Sequence, residues 1–314
     1  MVSTVLAPGA FACPKASGER SAYAGAMDAY PFDESLPEPP THLSSDAAEV
    51  PVAWSIDVTD LRTGAPLLLH EPDRVLATAS VGKVFLLLEV AARIADGRID
   101  PAARLSISPE HEVADSGLLH LFRDRTITVA DACLLVGAVS DNLTTNALTD
   151  LCGLDAVRAR SGRLGLVDTS FLDVIRDERT DAHPWAPSCG TARELSRLFA
   201  MLHAGEAVSG EASAQVLAHL AAGVDTSMVS GGLHLDPLAH TDADGGVLLR
   251  HKTGHDSGVR VDAGIVTGPG GGVAYAVGAN WPPGADAGPD GTRVVVEHHM
   301  RTIGDAIRTH ILGE

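Results

Sequence analysis

Hydrophobic and polar positions alternate with period two from residue 52 onward, where Val52, Trp54, Ile56 and Val58 interleave with Ala53, Ser55, Asp57 and Thr59. That rhythm predicts a strand with one buried and one exposed face. Arg62-Thr63-Gly64-Ala65 has the composition of a turn, and Leu67-Leu68-Leu69 supplies the returning strand of a hairpin. The pattern then changes. Val84 to Ala92 is an almost unbroken run of apolar helix formers, with Gly97 placed to stop it, so it predicts a buried helix with Ser80 in its first turn. Thr128 followed by Asp131 opens a second helix over residues 129–139 in the manner of a capping box, and further helices are expected over 191–204 and 212–222.

Strands return in the last third: 247–251, then 259–266 and 273–277 as a hairpin around Gly268-Pro269-Gly270-Gly271-Gly272. Met300, Ile303, Ile307 and Ile311 recur at helical spacing and predict a final amphipathic helix. The opening segment, to about Ser45, is broken by Pro8, Pro14, Pro31, Pro37, Pro39 and Pro40 and reads as an irregular arm. Strands at both ends and helices between them predict an α/β chain of the α+β type. Its expected form is an antiparallel sheet built from both chain ends and flanked by helices, with an inserted all-α lobe. The expected divisions are an arm over 1–45, an α/β lobe over 46–78 and 230–314, and an all-α lobe over 79–229. No internal repeat is present.

A net charge of −18 over 314 residues argues against nucleic acid or an anionic membrane surface as partner. The apolar runs are too short to span a bilayer. Val5 to Cys13 is the only candidate export signal, and it lacks a basic flank and is interrupted by Pro8 and Gly9; the expectation is a cytoplasmic, monomeric protein. Cys13, Cys133, Cys152 and Cys189 form no Cys-x-x-Cys pair, and free buried thiols are expected. The histidines, His298-His299 included, show no ligand spacing, so neither a metal nor another cofactor is expected.

The candidate chemistry lies in the rarest polar residues. Lysine occurs only at positions 15, 83 and 252, among many arginines, and asparagine only at 142, 146 and 280. A buried lysine can lose its proton and act as a base, which arginine cannot do. Lys83 falls one helical turn after Ser80, within reach of its hydroxyl, and a serine at a helix start has first-turn amides available for an oxyanion. A helix-start serine is ordinarily only a cap, so this pair gains meaning from its company. Asn142 ends Ser140-Asp141-Asn142, and Lys252 opens Lys252-Thr253-Gly254.

Those three boxes, in this order, resemble the class A serine β-lactamases and the related penicillin-binding proteins, over roughly Val50 to Leu312. The resemblance implies a small-molecule substrate, a β-lactam or a related ester or amide. It casts Ser80 as nucleophile, with its amide and that of His255 as oxyanion donors. Lys83 is then the base, Ser140 the proton carrier to the leaving group, and Lys252 the partner of a substrate carboxylate. Thr253 and Gly254 complete that strand, Asn142 would bind the acylamide side chain, and Arg260 would support the carboxylate or else be an exposed strand arginine. Two departures stand out. Cys133 matches one half of a family disulfide, but Leu87 holds the other position. The family's Glu-x-x-x-Asn, whose glutamate activates the deacylating water, has no counterpart between Gly165 and Arg179: either Arg176 takes the glutamate's place, or the loop is shortened and the glutamate deleted. Asp173, Asp177 and Glu178 are the carboxylates left nearby.

Overall fold

The computed structural model describes residues 36–44, 49–114, 116–239, 245–285 and 291–314. Its central sheet has five antiparallel strands in the order Leu248–Asp256, Val259–Gly268, Gly271–Asn280, Ala53–Asp60 and Pro66–His70. The N-terminal hairpin therefore closes onto the C-terminal one, with Ile56 opposite Val277 and Val58 opposite Tyr275. Seven α-helices occur among the described residues: α1 (Lys83–Ala95), α2 (Val129–Val139), α3 (Asn142–Cys152), α4 (Leu154–Arg163), α5 (Ala192–Ala204), α6 (Gly210–Ala221) and α7 (Thr292–Leu312). The antiparallel sheet drawn from both chain ends and flanked by helices is the architecture expected.

Apolar residues fall into two main cores on opposite faces of the sheet. Trp54, Ile56, Val58, Tyr275 and Val277 pack beneath α7, whose Met300, Ile303, Ile307 and Ile311 are all fully buried. On the other face Val261, Ala263, Ile265 and Ala276 meet α1, α5 and α6 through residues such as Val84, Leu88, Leu198, Phe199 and Val216. Burying this apolar surface is the main stabilising term of the fold. The second face corrects the reading of strand 53–60 as half exposed. α5 lies on that face, so Ser55 and Asp57 are buried; Ser55 Oγ accepts from the Ala192 amide at 3.1 Å, and Thr59 Oγ1 donates to Asp57 at 2.8 Å.

The middle of the chain is not purely helical. Ser188–Gly190 pairs with both Leu76–Ala77 and Ser170–Phe171, and Arg104–Ser106 pairs with Thr126–Thr128. The end of the arm is ordered as well: His42–Ser44 pairs with Glu49–Pro51, and Trp54 Nε1 donates to the Pro40 carbonyl at 2.9 Å. Residues 1–35, with Val5 to Cys13 and most of the expected arm, lie outside the described residues. No helix among the described residues is long and apolar enough to cross a membrane.

α1 is tied to α4 by Glu89, which is 1% exposed and receives Arg93 Nε at 2.8 Å and Arg160 Nε at 3.1 Å. Cys133 and Cys152 are free and buried, as expected, and burial pushes their thiols up to about 12 and about 11. Cys189 takes part in a disulfide, which corrects the expectation for that residue. His299 stacks edge-on against Trp54, with ring centroids 5.1 Å apart.

Candidate active site

Ser80 sits in a 3-10 turn, Ala79–Gly82, and α1 begins only at Lys83. The turn is strained, because Ala79 adopts a φ of +44°, which a side chain disfavours. Ser188 holds it. Its hydroxyl donates to the Ala79 carbonyl at 2.5 Å and lies 2.8 Å from Thr78 Oγ1. Gly254 presses on the turn from the edge strand, where a Cβ would stand 2.3 Å from the Thr78 carbonyl oxygen and 3.2 Å from the Ser80 nitrogen. The Lys-Thr-Gly strand therefore meets the serine backbone to backbone.

Lys83 is fully buried, and its Nζ contacts the Ser140 carbonyl at 2.6 Å, Ser140 Oγ at 3.1 Å and Asn142 Oδ1 at 2.7 Å. Its hydrogen bonds thus go to the Ser140-Asp141-Asn142 turn, with none to Ser80. Burial, reinforced by the nearby charge of Lys252, holds its pKa well below the usual lysine value. All three neighbours are oxygens that accept from the amine.

The turn itself is fixed by its caps. Ser140 closes α2 with a left-handed φ of +57°, and Asp141 opens α3 by accepting from the Thr144 amide at 2.9 Å. The other oxygen of Asp141 accepts from the Leu118 and Leu119 amides, both at 2.8 Å, which pins residues 116–119 beside the site. Asn142, the first residue of α3, donates through Nδ2 to the Ala114 carbonyl at 2.9 Å. A cavity of about 170 Å³ is lined by Ser80, Ser116, Ser140, Lys252, Thr253 and His255, with Asp225 and His251 among its other walls. Lys252 is buried, its Nζ donates to the Thr253 carbonyl at 2.8 Å, and burial brings its pKa down to about 8 against the opposing pull of Asp225 and Asp262.

Of the nine residues singled out in the sequence, Ser80, Ser140, Lys252, Thr253 and His255 line this cavity, Lys83, Asn142 and Gly254 adjoin residues that do, and Arg260 stands apart. Arg260 is buried away from it. Its Nε pairs with Glu297 at 2.9 Å, Nη1 donates to the Val259 and Asp256 carbonyls, and Cζ lies 5.9 Å from the Trp281 ring centre. It is neither a wall of the cavity nor an exposed strand arginine. Two cavity residues carried no signal in the sequence. Asp225 pairs with His255, Nε2 to Oδ2 at 2.6 Å, and His251 Nδ1 pairs with the fully buried Asp262 at 2.9 Å. These partners are 30 and 11 residues apart, and only the fold brings them together.

A family model described as the β-lactamase enzyme family matches residues 42–308. The chain belongs to that family. Membership places it among β-lactamase-like serine hydrolases of small molecules. No curated protein matches the sequence. Among solved structures, a β-lactamase from Sphaerobacter thermophilus superposes with a TM-score of 0.69 at 23% identity, over 82% of this chain and 90% of that one. PBP-A gives 0.67 at 21% identity, over 82% and 89%, and a leucine-to-glutamate variant of PBP-A, solved as an acyl-enzyme complex with penicillin G, gives the same figures. At these identities the likeness establishes the fold.

This family member carries no carboxylate from the 165–179 loop in its cavity wall. Asp173 is buried and ion-paired, its Oδ2 receiving Arg176 Nε at 2.7 Å and Arg179 Nη1 at 2.9 Å. Asp177 accepts from the Ala114 amide at 2.7 Å, and Glu178 is exposed. The loop residue clamped to α3 is Ile175, whose backbone N–H and carbonyl bond Asn146 Oδ1 at 2.9 Å and Nδ2 at 3.0 Å. Arg176 itself is exposed and engaged with Asp173.

Proposed function

We propose that this protein is a class A-like serine hydrolase that forms an acyl-enzyme on Ser80 with a β-lactam or a related ester or amide. The observation that carries this reading is the contact of Lys83 Nζ with Ser140 Oγ in a cavity wall shared with Ser80 and Lys252. A buried amine whose pKa is lowered gives up its proton more readily and so can serve as a base, and a hydroxyl beside it is a path for the proton. Ser80 Oγ attacks the carbonyl carbon, its proton passes to Lys83, and the Ser80 and His255 amides receive the oxyanion. When the C–N or C–O bond breaks, Lys83 returns the proton through Ser140 to the leaving atom. Lys252, cationic below about pH 8, adds to the field that lowers the Lys83 pKa.

The engaged and remote carboxylates of the 165–179 loop favour slow deacylation of β-lactams. The same site would then act as a β-lactam-binding receptor or trap, or as an esterase whose easier acyl group is cleared by Lys83 and water. Mass spectrometry of the protein after brief and long exposure to an activated ester and to a penicillin tests the reading. A single adduct on Ser80 is expected, absent in Ser80→Ala; an adduct that persists in that variant, or maps elsewhere, overturns the assignment.

A further inference from the structure

The residues placed to receive a substrate anion already hold one. Asp225, in the segment after α6, accepts His255 Nε2 at 2.6 Å and the Ser227 amide at 3.1 Å. Lys252 feels its charge. Asp225, Lys252, Thr253 and His255 all line the cavity with Ser80 and Ser140. The second cation expected for a carboxylate, Arg260, is engaged elsewhere by Glu297. Behind the strand lies another carboxylate, Asp262, bonded by His251, by Tyr275 Oη at 3.0 Å and by the Ser230 amide at 3.1 Å. One ammonium, that of Lys252, therefore already feels the charge of two carboxylates.

We propose that Asp225 is a built-in anion occupying the anion-binding end of the cavity, so that the acyl donors this enzyme prefers are esters or amides uncharged on the leaving-group side. The proposal rests on the acyl-transfer reading and narrows its substrate class. A third carboxylate beside Asp225 would meet like charge in a partly desolvated wall and find His255 already engaged. Burial alone would raise the Asp225 pKa, but the His255 imidazole bonded to it outweighs burial and holds the carboxyl well below the usual range, so it is an anion at neutral pH. Specificity then comes from repulsion as much as from fit.

The test uses two aryl esters of phenylacetylglycine that share one acyl group, with a 3-carboxyphenyl or a 3-carbamoylphenyl leaving group. Ser80 acylation in the wild type should be about tenfold or more faster with the carbamoyl ester. Asp225→Asn should move the ratio by about tenfold or more toward the carboxylate ester, with folding checked by thermal unfolding. His255→Gln, which strips Asp225 of its imidazole partner, should move it further toward the carbamoyl ester, and this arm decides if Asp225→Asn does not fold. A wild type that prefers the carboxylate ester, an unchanged ratio in folded Asp225→Asn, or a shift of the wrong sign in His255→Gln overturns the proposal while leaving acylation of Ser80 intact. No adduct from either ester overturns the acyl-transfer reading and the proposal with it.

Discussion

Gly254→Ala is the substitution whose effect follows most directly from the geometry. The added Cβ would lie 2.3 Å from the Thr78 carbonyl oxygen, where real contacts fall no closer than 3.0 Å, so strand and turn must part by about 0.7 Å (3.0 − 2.3). Neither side yields easily. The obstructing atom is backbone, and the Thr78 carbonyl also accepts the Val81 amide at 3.0 Å within the serine turn. Overpacking of this kind costs about 1–3 kcal/mol, or roughly 2–10 °C in Tm for a chain of this size. The catalytic cost is greater, because the displaced strand carries Lys252 and the His255 amide, and misplacement by about 1 Å costs on the order of 10²-fold. Stopped-flow acylation by 4-nitrophenyl phenylacetate should therefore slow about 10²-fold, with the adduct still on Ser80. Gly278→Ala is the control, since its Cβ would meet only the movable Leu76 Cδ1, at 3.3 Å, and it should slow acylation by about twofold at most. Equal rates in Gly254→Ala and the control would refute the reasoning that backbone contact sets the site.

The amines should separate by their chemistry: Lys83→Arg loses the base and should slow acylation by about 10²-fold or more, whereas Lys252→Arg, which keeps a cation, should do less, and near-normal rates in both would show that neither amine is needed. The alkaline limb of the acylation profile should fall near pH 8 as Lys252 loses its proton, and should move out of range in Lys252→Arg; a limb unchanged in that variant assigns it to another group. Because burial lowers this pKa from 10.5, the unfolded chain binds the extra proton between about pH 8 and 10.5, so this lysine's contribution to stability should rise with pH across that window, as Lys252→Arg against wild type in urea titrations would report. Asp177→Asn and Glu178→Gln should leave adduct lifetime within about twofold, since neither lines the cavity, and a longer-lived adduct in either would identify a base. Glu89→Ala should cost about 3–5 kcal/mol by leaving Arg160 buried without its partner. Arginine partners outweigh burial and lower the Glu89 pKa, so the wild-type advantage should vanish as pH falls through the carboxylate range; an advantage that persists in acid would show that the lost side-chain packing carries the effect.

Much of the frame was legible because its signals are local. Thr128 and Asp131 mark the start of α2 through bonds confined to one turn, and the spacing of Met300, Ile303, Ile307 and Ile311 gives α7 directly. α3 was missed because its buried residues mix polar with apolar: the Thr145 and Thr149 hydroxyls are satisfied by carbonyls one turn back, Asp141 at 2.7 Å and Thr145 at 2.8 Å. α4 has arginines and a glycine where an apolar stripe would announce it, and its Arg160 is buried only because Glu89 waits on α1. The second face of strand 53–60 looked wet for a related reason, since Ser55 and Asp57 read as solvent-facing until α5 supplies their partners. In the site, the motif residues were visible as motifs. Ser188, Asp225 and His251 were not, because each acts through a partner distant in sequence.

The sheet order has a consequence for how the protein comes into being. Strand 53–60 lies between 66–70 and 271–280, so its second neighbour leaves the ribosome long after its first. At about 5–20 residues per second, the roughly 210 residues between them take on the order of 10–40 s to synthesise. Through that interval the nascent hairpin has an unpaired apolar edge, a hazard for association between growing chains. The serine turn is likewise made long before Gly254 arrives to brace it or Lys252 to bias its base. Reactivity is thus acquired late, and a truncated product ending before Lys252 would carry the nucleophile without the means to use it.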